Sequence, residues 1–276
     1  MKRQISIIIF IVLVGLVFLW QDIDTTQNLE VCFLDVGQGD AELFHTPSGQ
    51  NILVDGGADN NFLPALGQCL PWWDKSIDYV FISHYHDDHY AGLVDLLDKY
   101  QVKNIITTPA KPETALYKAW QIALDKHGLV EQTAITRQKY DFGQGVSLEI
   151  LKAEDVDSKN LNDDSLVLKI SDQQIDFLLM GDLPSEQEQV LLQQNINLES
   201  EVLKVGHHGS KYSSSDTFLQ KVKPQLCVIE VGIDNKYGHP HQEAIERLQN
   251  HNCLIKQTKD LGTIRVFSDG QRWCVE

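Results

Sequence analysis

The sequence predicts an α/β domain built as a four-layer αββα sandwich, two sheets face to face with helices outside. Three observations point there. Short apolar runs of β type alternate with segments of helical spacing along most of the chain. Their order is strands, then β/α alternation, then strands and β/α alternation again. A strand in each half ends in glycine and aspartate, Asp55-Gly56-Gly57 in the first and Gly181-Asp182 in the second. Two similar halves, each a mixed sheet with outer helices, can bury their apolar faces by packing sheet on sheet.

The elements follow in order. Strands are expected over 31–34, 41–45 and 51–55, separated by Gly-Gln-Gly and Pro-Ser-Gly turns. A short helix is expected over 62–70, a strand over 79–83, and a helix over 92–100 with Leu93, Leu96, Leu97 and Tyr100 on one face. A strand at 104–107 and a helix at 113–127 close the first half. Strands at 146–152, 165–171 and 174–180 precede an acidic helix at 185–194. The strands 202–205, 226–231, 254–257 and 263–268 follow, with helices at 214–222 and 241–251 between the earlier ones. Residues 29–276 therefore read as one domain, since no Pro- or Gly-rich linker divides them.

The first 20 residues differ in character. Lys2 and Arg3 precede an uncharged apolar run from Ile5 to Trp20. Sixteen helical residues span roughly 24 Å, a little short of the ~30 Å hydrocarbon core. A cleaved signal peptide wants small residues just after the run; Phe18-Leu19-Trp20-Gln21-Asp22 offers none. An uncleaved signal anchor is the favoured reading, with 21–28 as a polar linker. The preceding basic residues keep the N-terminus cytoplasmic. The expectation is a single-pass cell-membrane protein whose domain lies outside the cytoplasm, or a secreted one if the segment is cleaved. No obligate protein partner is inferred.

Cys32, Cys69, Cys227, Cys253 and Cys274 are scattered, odd in number and form no CxxC pair. That argues against a disulfide framework and for small buried hydrophobes, with one bridge still open in an oxidising compartment. Net charge is −16, and it is uneven. Residues 1–200 hold 13 basic and 30 acidic side chains, whereas residues 201–276 hold 10 and 9. Such a body repels polyphosphates at long range, unless bound divalent cations reverse the sign locally.

The strongest chemical signal is Ser83-His84-Tyr85-His86-Asp87-Asp88-His89. Residues two apart in an extended chain point to one side, so His84 and His86 can grip one cation as they leave their strand. The chain is expected to enter its helix at Ala91, leaving Asp88 and His89 at the turn to face a second cation. Imidazole suits Zn and Fe, and carboxylate adds capacity for harder ions. Three histidines and two aspartates within six residues are hard to explain as a solvated loop.

This pattern resembles the His-x-His-x-Asp-His signature of the metallo-β-lactamase superfamily. Other segments resemble its ComEC-type branch, the extracellular hydrolase domain of competence DNA-uptake proteins: Leu34-Asp35-Val36-Gly37-Gln38-Gly39-Asp40, Ile52-Leu53-Val54-Asp55-Gly56-Gly57, Met180-Gly181-Asp182, Val202-Leu203-Lys204-Val205-Gly206-His207-His208-Gly209-Ser210 and Asn235-Lys236-Tyr237-Gly238-His239-Pro240. The likeness runs from about Val31 to about Phe267. It implies two divalent metal ions, Zn or Mn. His84 and His86 would hold one, Asp88 and His89 the other, Asp182 would bridge them, and His239 would be the final ligand. The usual histidine before the Asp182 strand is missing from Asn160-Leu161-Asn162-Asp163-Asp164-Ser165. His207, or oxygen donors, can fill that place. Asp182 also suits an N-cap for the helix from Ser185.

Further roles are expected around this core. Asp55 orients a metal-bound histidine. Gly209 permits close backbone approach, Ser210 and Asn235 contact substrate, and one of His207 and His208 protonates the leaving group. Asp88 and Asp182 share in catalysis. Asp35 and Asp40 read as turn formers, and Lys204, Lys211 and Lys236 as charges near the site that are otherwise solvated. The expected activity is that of a metal-dependent phosphodiesterase or nuclease, with a metal-bound hydroxide attacking phosphorus and DNA among the candidate substrates. Hydrolysis of a non-phosphate ester, thioester or lactam is the alternative, and a non-catalytic metal-binding module the third. A role in DNA uptake does not follow from the domain alone.

Overall fold

The computed structural model describes residues 28–58, 61–154 and 160–276. The expected anchor over 1–20, and all of the 21–28 linker except Asn28, lie outside the described residues. Among the described residues no helix is long and apolar enough to cross a membrane.

Among the described residues the first sheet has eight strands: β1 (Leu29–Phe33), β2 (Glu42–His45), β3 (Asn51–Val54), β4 (Ser76–Ile82), β5 (Gln101–Thr107), β6 (Glu131–Thr133), β14 (Ile264–Ser268) and β15 (Trp273–Val275), in the order β15-β14-β1-β2-β3-β4-β5-β6. Helices α1 (Phe62–Cys69), α2 (Asp87–Leu96) and α3 (Ala115–His127) connect its parallel strands. The second sheet has seven: β7 (Lys139–Asp141), β8 (Val146–Lys152), β9 (Val167–Asp172), β10 (Ile175–Leu179), β11 (Val202–Lys204), β12 (Leu226–Ile229) and β13 (Leu254–Gln257), in the order β13-β12-β11-β10-β9-β8-β7. Helices α4 (Ser185–Gln193), α5 (Asp216–Val222) and α6 (Gln242–Asn250) serve this half, and a single turn, α7 (Thr258–Leu261), leads into β14.

Three apolar clusters define four layers. One joins the two sheets, with Phe33, Phe44 and Phe81 facing Phe177, Leu168 and Val228; the Phe44 and Phe177 rings meet edge to face at 6.0 Å. A second lies between the first sheet and α1–α3, around Phe62, Tyr90, Leu93 and Trp120. The third lies between the second sheet and α4–α6, around Leu191, Phe218 and Leu248. The αββα layering follows from these contacts.

Strand direction decides where the site can be. β1, β3, β4 and β5 run the same way in the first sheet, and β10, β11 and β12 run together in the second. All their C-terminal ends come out at one end of the sandwich. Two close approaches hold α2 there. A Cβ on Gly92 would meet the Gly56 carbonyl, and one on Gly39, at φ +137°, would meet the Asp88 carbonyl. Glycine is the side chain that permits both.

The fold departs from expectation in several places. Strands β6, β7 and β15 have three residues each, too short to show a period of two. The cysteines pair: Cys32 with Cys69 ties β1 to the end of α1, and Cys227 with Cys253 ties β12 to the approach of β13. Partners 37 and 26 residues apart have no local spacing that a sequence would reveal. Cys274 is free and exposed.

Candidate metal centre

β4 ends at Ile82, and Ser83 to Tyr85 continue without helix or strand to His86, which caps α2 in extended conformation (φ −88°, ψ 145°). Helix α2 begins at Asp87, four residues before the expected start, so Asp88 and His89 lie in its first turn rather than in a loop. Two acidic residues, Asp87 and Asp88, occupy that turn, where the helix dipole favours them. The rings of His84 and His86 stand 4.7 Å apart and those of His84 and His89 4.1 Å apart.

Asp182 follows β10 and Met180-Gly181. It does not cap α4, whose N-cap is Pro184 with no side-chain hydrogen bond. Instead it is buried between two pairs of histidines. Its Oδ2 lies 3.9 Å from His84 Nε2 and 3.7 Å from His207 Nε2. Its Oδ1 lies 3.5 Å from both His89 Nε2 and His208 Nε2. His208 Nε2 is also 3.5 Å from Asp88 Oδ2. One carboxylate thus divides the cluster into a half around His84 and His207 and a half around His89, His208 and Asp88.

The far sides of the His84, His89 and His208 rings are held. The Ser83 N–H and hydroxyl donate to Asp55 at 2.7 and 2.5 Å. With its proton so committed, Ser83 Oγ accepts from His84 Nδ1 at 3.0 Å. His89 Nδ1 donates to Asp55 Oδ2 at 2.8 Å. His208 Nδ1 donates to the Glu230 carbonyl at 3.0 Å and lies 3.1 Å from Asp40 Oδ1. Each Nδ1 proton is therefore used behind the ring, and each Nε2 faces Asp182.

Buried atoms without partners test whether cations fit. Nε2 of His84, His89 and His208 and Oδ1 of Asp182 are buried and have no hydrogen-bond partner. Leaving such atoms unsatisfied is costly. Lone pairs of imidazole and carboxylate converging within ligand distance of one another suit divalent cations. The residues present fit the group.

Electrostatics sharpen the division. Burial pushes His84, His86 and His207 below the usual histidine range, His84 furthest, and the neighbouring His89 lowers His84 and His86 further. Burial also lowers His239, to about 4, with His208 and His207 adding to the effect. His89 moves the other way. Burial opposes its charge, but Asp182 and Asp55 overcome that and hold its pKa well above the usual value. Asp182 and Asp88 remain ionised: burial is outweighed at Asp182 by His208 and His89, and at Asp88 by the nearby His208 and His89.

Several residues sit elsewhere than the sequence suggests. His239 lines the pocket, but its ring centre is 5.4 Å from that of His207 and 6.1 Å from that of His208. It is His208 that faces Asp88 and Asp182. Ser210 is buried and its hydroxyl accepts the Tyr212 N–H, away from the pocket wall. Asn235 holds the His239 backbone, accepting its N–H at 2.8 Å and donating to its carbonyl at 2.8 Å, and so braces the loop that carries His239. Asp35 does shape the turn, accepting the Gly37 N–H. Asp40 does more than that. It is buried against His208, His89 and Lys204. Lys204 is fully buried, not solvated, while Lys211 and Lys236 are exposed.

Sequence reasoning missed Asn162 as well. It is 7% exposed, lines the pocket, and its Oδ1 has no partner. Its place in the segment that lacks the usual histidine was the available signal. Backbone conformation had no such signal. Asp55, His207 and His208 all adopt left-handed φ of 51–56°, which costs on the order of 1–3 kcal/mol for each non-glycine residue. For the two histidines that turn is what aims adjacent rings at one carboxylate.

A sequence model of the metallo-beta-lactamase superfamily matches residues 34–226. The chain belongs to this superfamily. ComE operon protein 3 of Bacillus subtilis is 29% identical over 254 residues, 86% of this chain and 32% of that protein. Recombination protein 2 of Haemophilus influenzae is 30% identical over 241 residues, 86% of this chain and 28% of that protein. The resemblance to competence proteins is thereby shown, and this superfamily member spans about a third of the length of those relatives. The metallo-beta-lactamase fold protein YhfI of Bacillus subtilis superposes with a TM-score of 0.62 at 13% identity, covering 87% of this chain and all of that one. Zn(2+)-bound PqqB of Methylobacterium extorquens gives 0.52 at 10% identity, covering 80% and 85%. At such identities the superpositions speak for the fold alone.

Proposed function

We propose that this chain is a metal-dependent hydrolase of phosphodiesters, with DNA as the leading substrate class. The observation that carries the reading is the Asp182 carboxylate, whose two oxygens face separate sets of histidines. Such a carboxylate suits a pair of cations, one held by His84, His86 and His207, the other by Asp88, His89 and His208, with Asp182 between them. Cations there would supply Lewis acidity and an activated water, and would neutralise charge developing on phosphoryl oxygens. The names of the curated relatives, for competence and recombination, support a nucleic-acid substrate.

The chain's own residues do the rest. A pocket of about 460 Å³ opens over the cluster, with His239, Tyr237 and Asn162 on its walls. Tyr237 is exposed, stacks with His239 at 5.7 Å and has Lys236 Nζ 5.1 Å from its ring centre, an aromatic and cationic edge of the pocket suited to a nucleotide. His239, lowered to about 4, is neutral at pH 7. It therefore offers an N–H to a phosphoryl oxygen in place of a proton to the leaving group. Asn162 Oδ1 stands in for the missing histidine as an oxygen donor, which moves the preference toward a harder ion such as Mn²⁺. PqqB, which shares the fold, holds Zn²⁺, so Zn stays the alternative ion. The domain works outside the cytoplasm, anchored through residues 1–20. Two disulfides support that, because such bonds persist in oxidising compartments.

The test is elemental analysis of the purified full chain together with a substrate panel: bis-p-nitrophenyl phosphate, single- and double-stranded DNA and a chromogenic lactam, with Zn²⁺ or Mn²⁺. Phosphodiester cleavage that disappears in His86→Ala is expected. Turnover of the lactam alone, or a chain that takes up no metal, would overturn the proposal.

A further inference from the structure

Among the described residues, Trp72 and Trp73 are the largest well-exposed apolar side chains, 80% and 68% exposed. Their rings pack edge to face at 5.6 Å, just beyond the end of α1. Neither touches the metal centre, and nothing in the proposed chemistry uses them.

Strand register fixes which end of the molecule they occupy. Asn51, the first residue of β3, donates to the Asp74 carboxylate at 2.8 Å and to the Ser76 carbonyl at 2.9 Å, which places the Trp73–Ser76 segment at the N-terminal end of β3. Asn51 pairs with His45, and His45 with Glu30. The chain therefore enters the domain, at Leu29, on the same end as the tryptophans. Asp40, Asp55, His84 and Asp182 all lie past the opposite ends of their strands. Seven residues of β4 separate the two ends, roughly 23 Å at the usual rise per residue.

We infer that the Trp72–Trp73 pair seats this end of the domain in the interfacial layer of the bilayer that holds the N-terminal segment, so that the metal centre faces away from the membrane. The inference rests on the reading of Ile5 to Trp20 as an anchor. Eight residues, 21–28, join that run to β1; fully extended they reach about 28 Å, so the entry end of the domain stays within that distance of the bilayer. Indole rings, apolar with one N–H, collect at the membrane–water boundary. A second copy of the chain is the poorer occupant. Two tryptophans bury about 300–500 Å², well short of the ~800 Å² per partner of a stable interface. For a domain already tethered beside the bilayer that area suffices, because docking is then intramolecular. Asp74 and Lys75 follow the pair in sequence and give no excess of cations, so a zwitterionic surface is the partner it fits.

The test uses the full chain in phosphatidylcholine vesicles, with Trp20→Phe to silence the indole of the anchor. Trp120 is buried and Trp273 packs against the core. In vesicles with brominated acyl chains, tryptophan emission is expected to shift to the blue and to be quenched. Both effects are expected to vanish when Trp72→Phe and Trp73→Phe are added, with turnover unchanged. Equal quenching with and without the pair, in protein that floats with the vesicles, would overturn the inference. So would concentration-dependent cross-linking between copies at position 72 in place of lipid quenching. A chain that fails to float at all would remove the anchor reading itself, a separately visible result.

Discussion

The Asp55 carboxylate accepts a 2.8 Å hydrogen bond from His89 Nδ1, and the same carboxylate holds the Ser83 N–H and hydroxyl. One side chain thus sets the tautomer of His89 directly and that of His84 through Ser83. Asp55→Asn keeps the shape and removes the charge. It is expected to weaken metal binding about 10–100-fold, as outer-shell changes do, with secondary structure intact. Competition against a metallochromic chelator measures it.

Asp182→Ala removes the one group shared by both halves of the cluster. The loss of metal affinity is expected to exceed that of Asp55→Asn, and phosphodiester turnover is expected to fall to background. Elemental analysis after desalting, beside the turnover assay, checks both.

Cation uptake must displace a proton. Asp182 and Asp55 hold His89 protonated above the usual histidine range, and an imidazolium cannot ligate. Metal affinity is therefore expected to rise with pH through neutrality. Titration calorimetry in buffers of different ionisation enthalpy is expected to show about one proton released per chain at pH 7, from His89; a buffer-independent heat would contradict this.

Behind the site, Glu42 and Glu230 are fully buried near one another. Burial and the charge of Glu230 push Glu42 well up, and burial pushes Glu230 up to about 7 against the pull of Lys204. Their folded pKa values exceed the unfolded ones, so the native state binds more protons. Stability is then fullest at or below the ordinary glutamate value of 4.5 and is lost as pH rises toward 7 and above. Urea midpoints of the wild type are expected to fall between pH 5 and pH 8, and those of Glu42→Gln to fall less.

Four of the five cysteines are bonded. Alkylation of denatured, unreduced protein exported to an oxidising compartment is expected to label Cys274 alone, and reduction to expose four more thiols. Mass spectrometry counts them.

Much of this was legible in one dimension. A period of two and a period near 3.6 are local properties, so the longer strands and helices declared themselves. The run from His84 to His89 was legible because its chemistry is dense within six residues. The local partners of Ser210 and Asn235, the Tyr212 N–H and the His239 backbone, were not legible, because a motif names residues without saying which way their side chains face. Asp40 read as a turn former and Lys204 as a solvated charge near the site, since burial is a property of the packed sandwich.

The order of residues by itself determined the layers, the family and the histidine-rich strand end, because alternation and close spacing act between neighbours along the chain. Only the tertiary structure decided that His208 rather than His239 faces Asp88, that Asp182 stands between two histidine sets, and which cysteines pair. Those facts depend on strand direction and on left-handed turns at Asp55, His207 and His208. They bring together groups from well-separated parts of the chain, and no local pattern records such contacts.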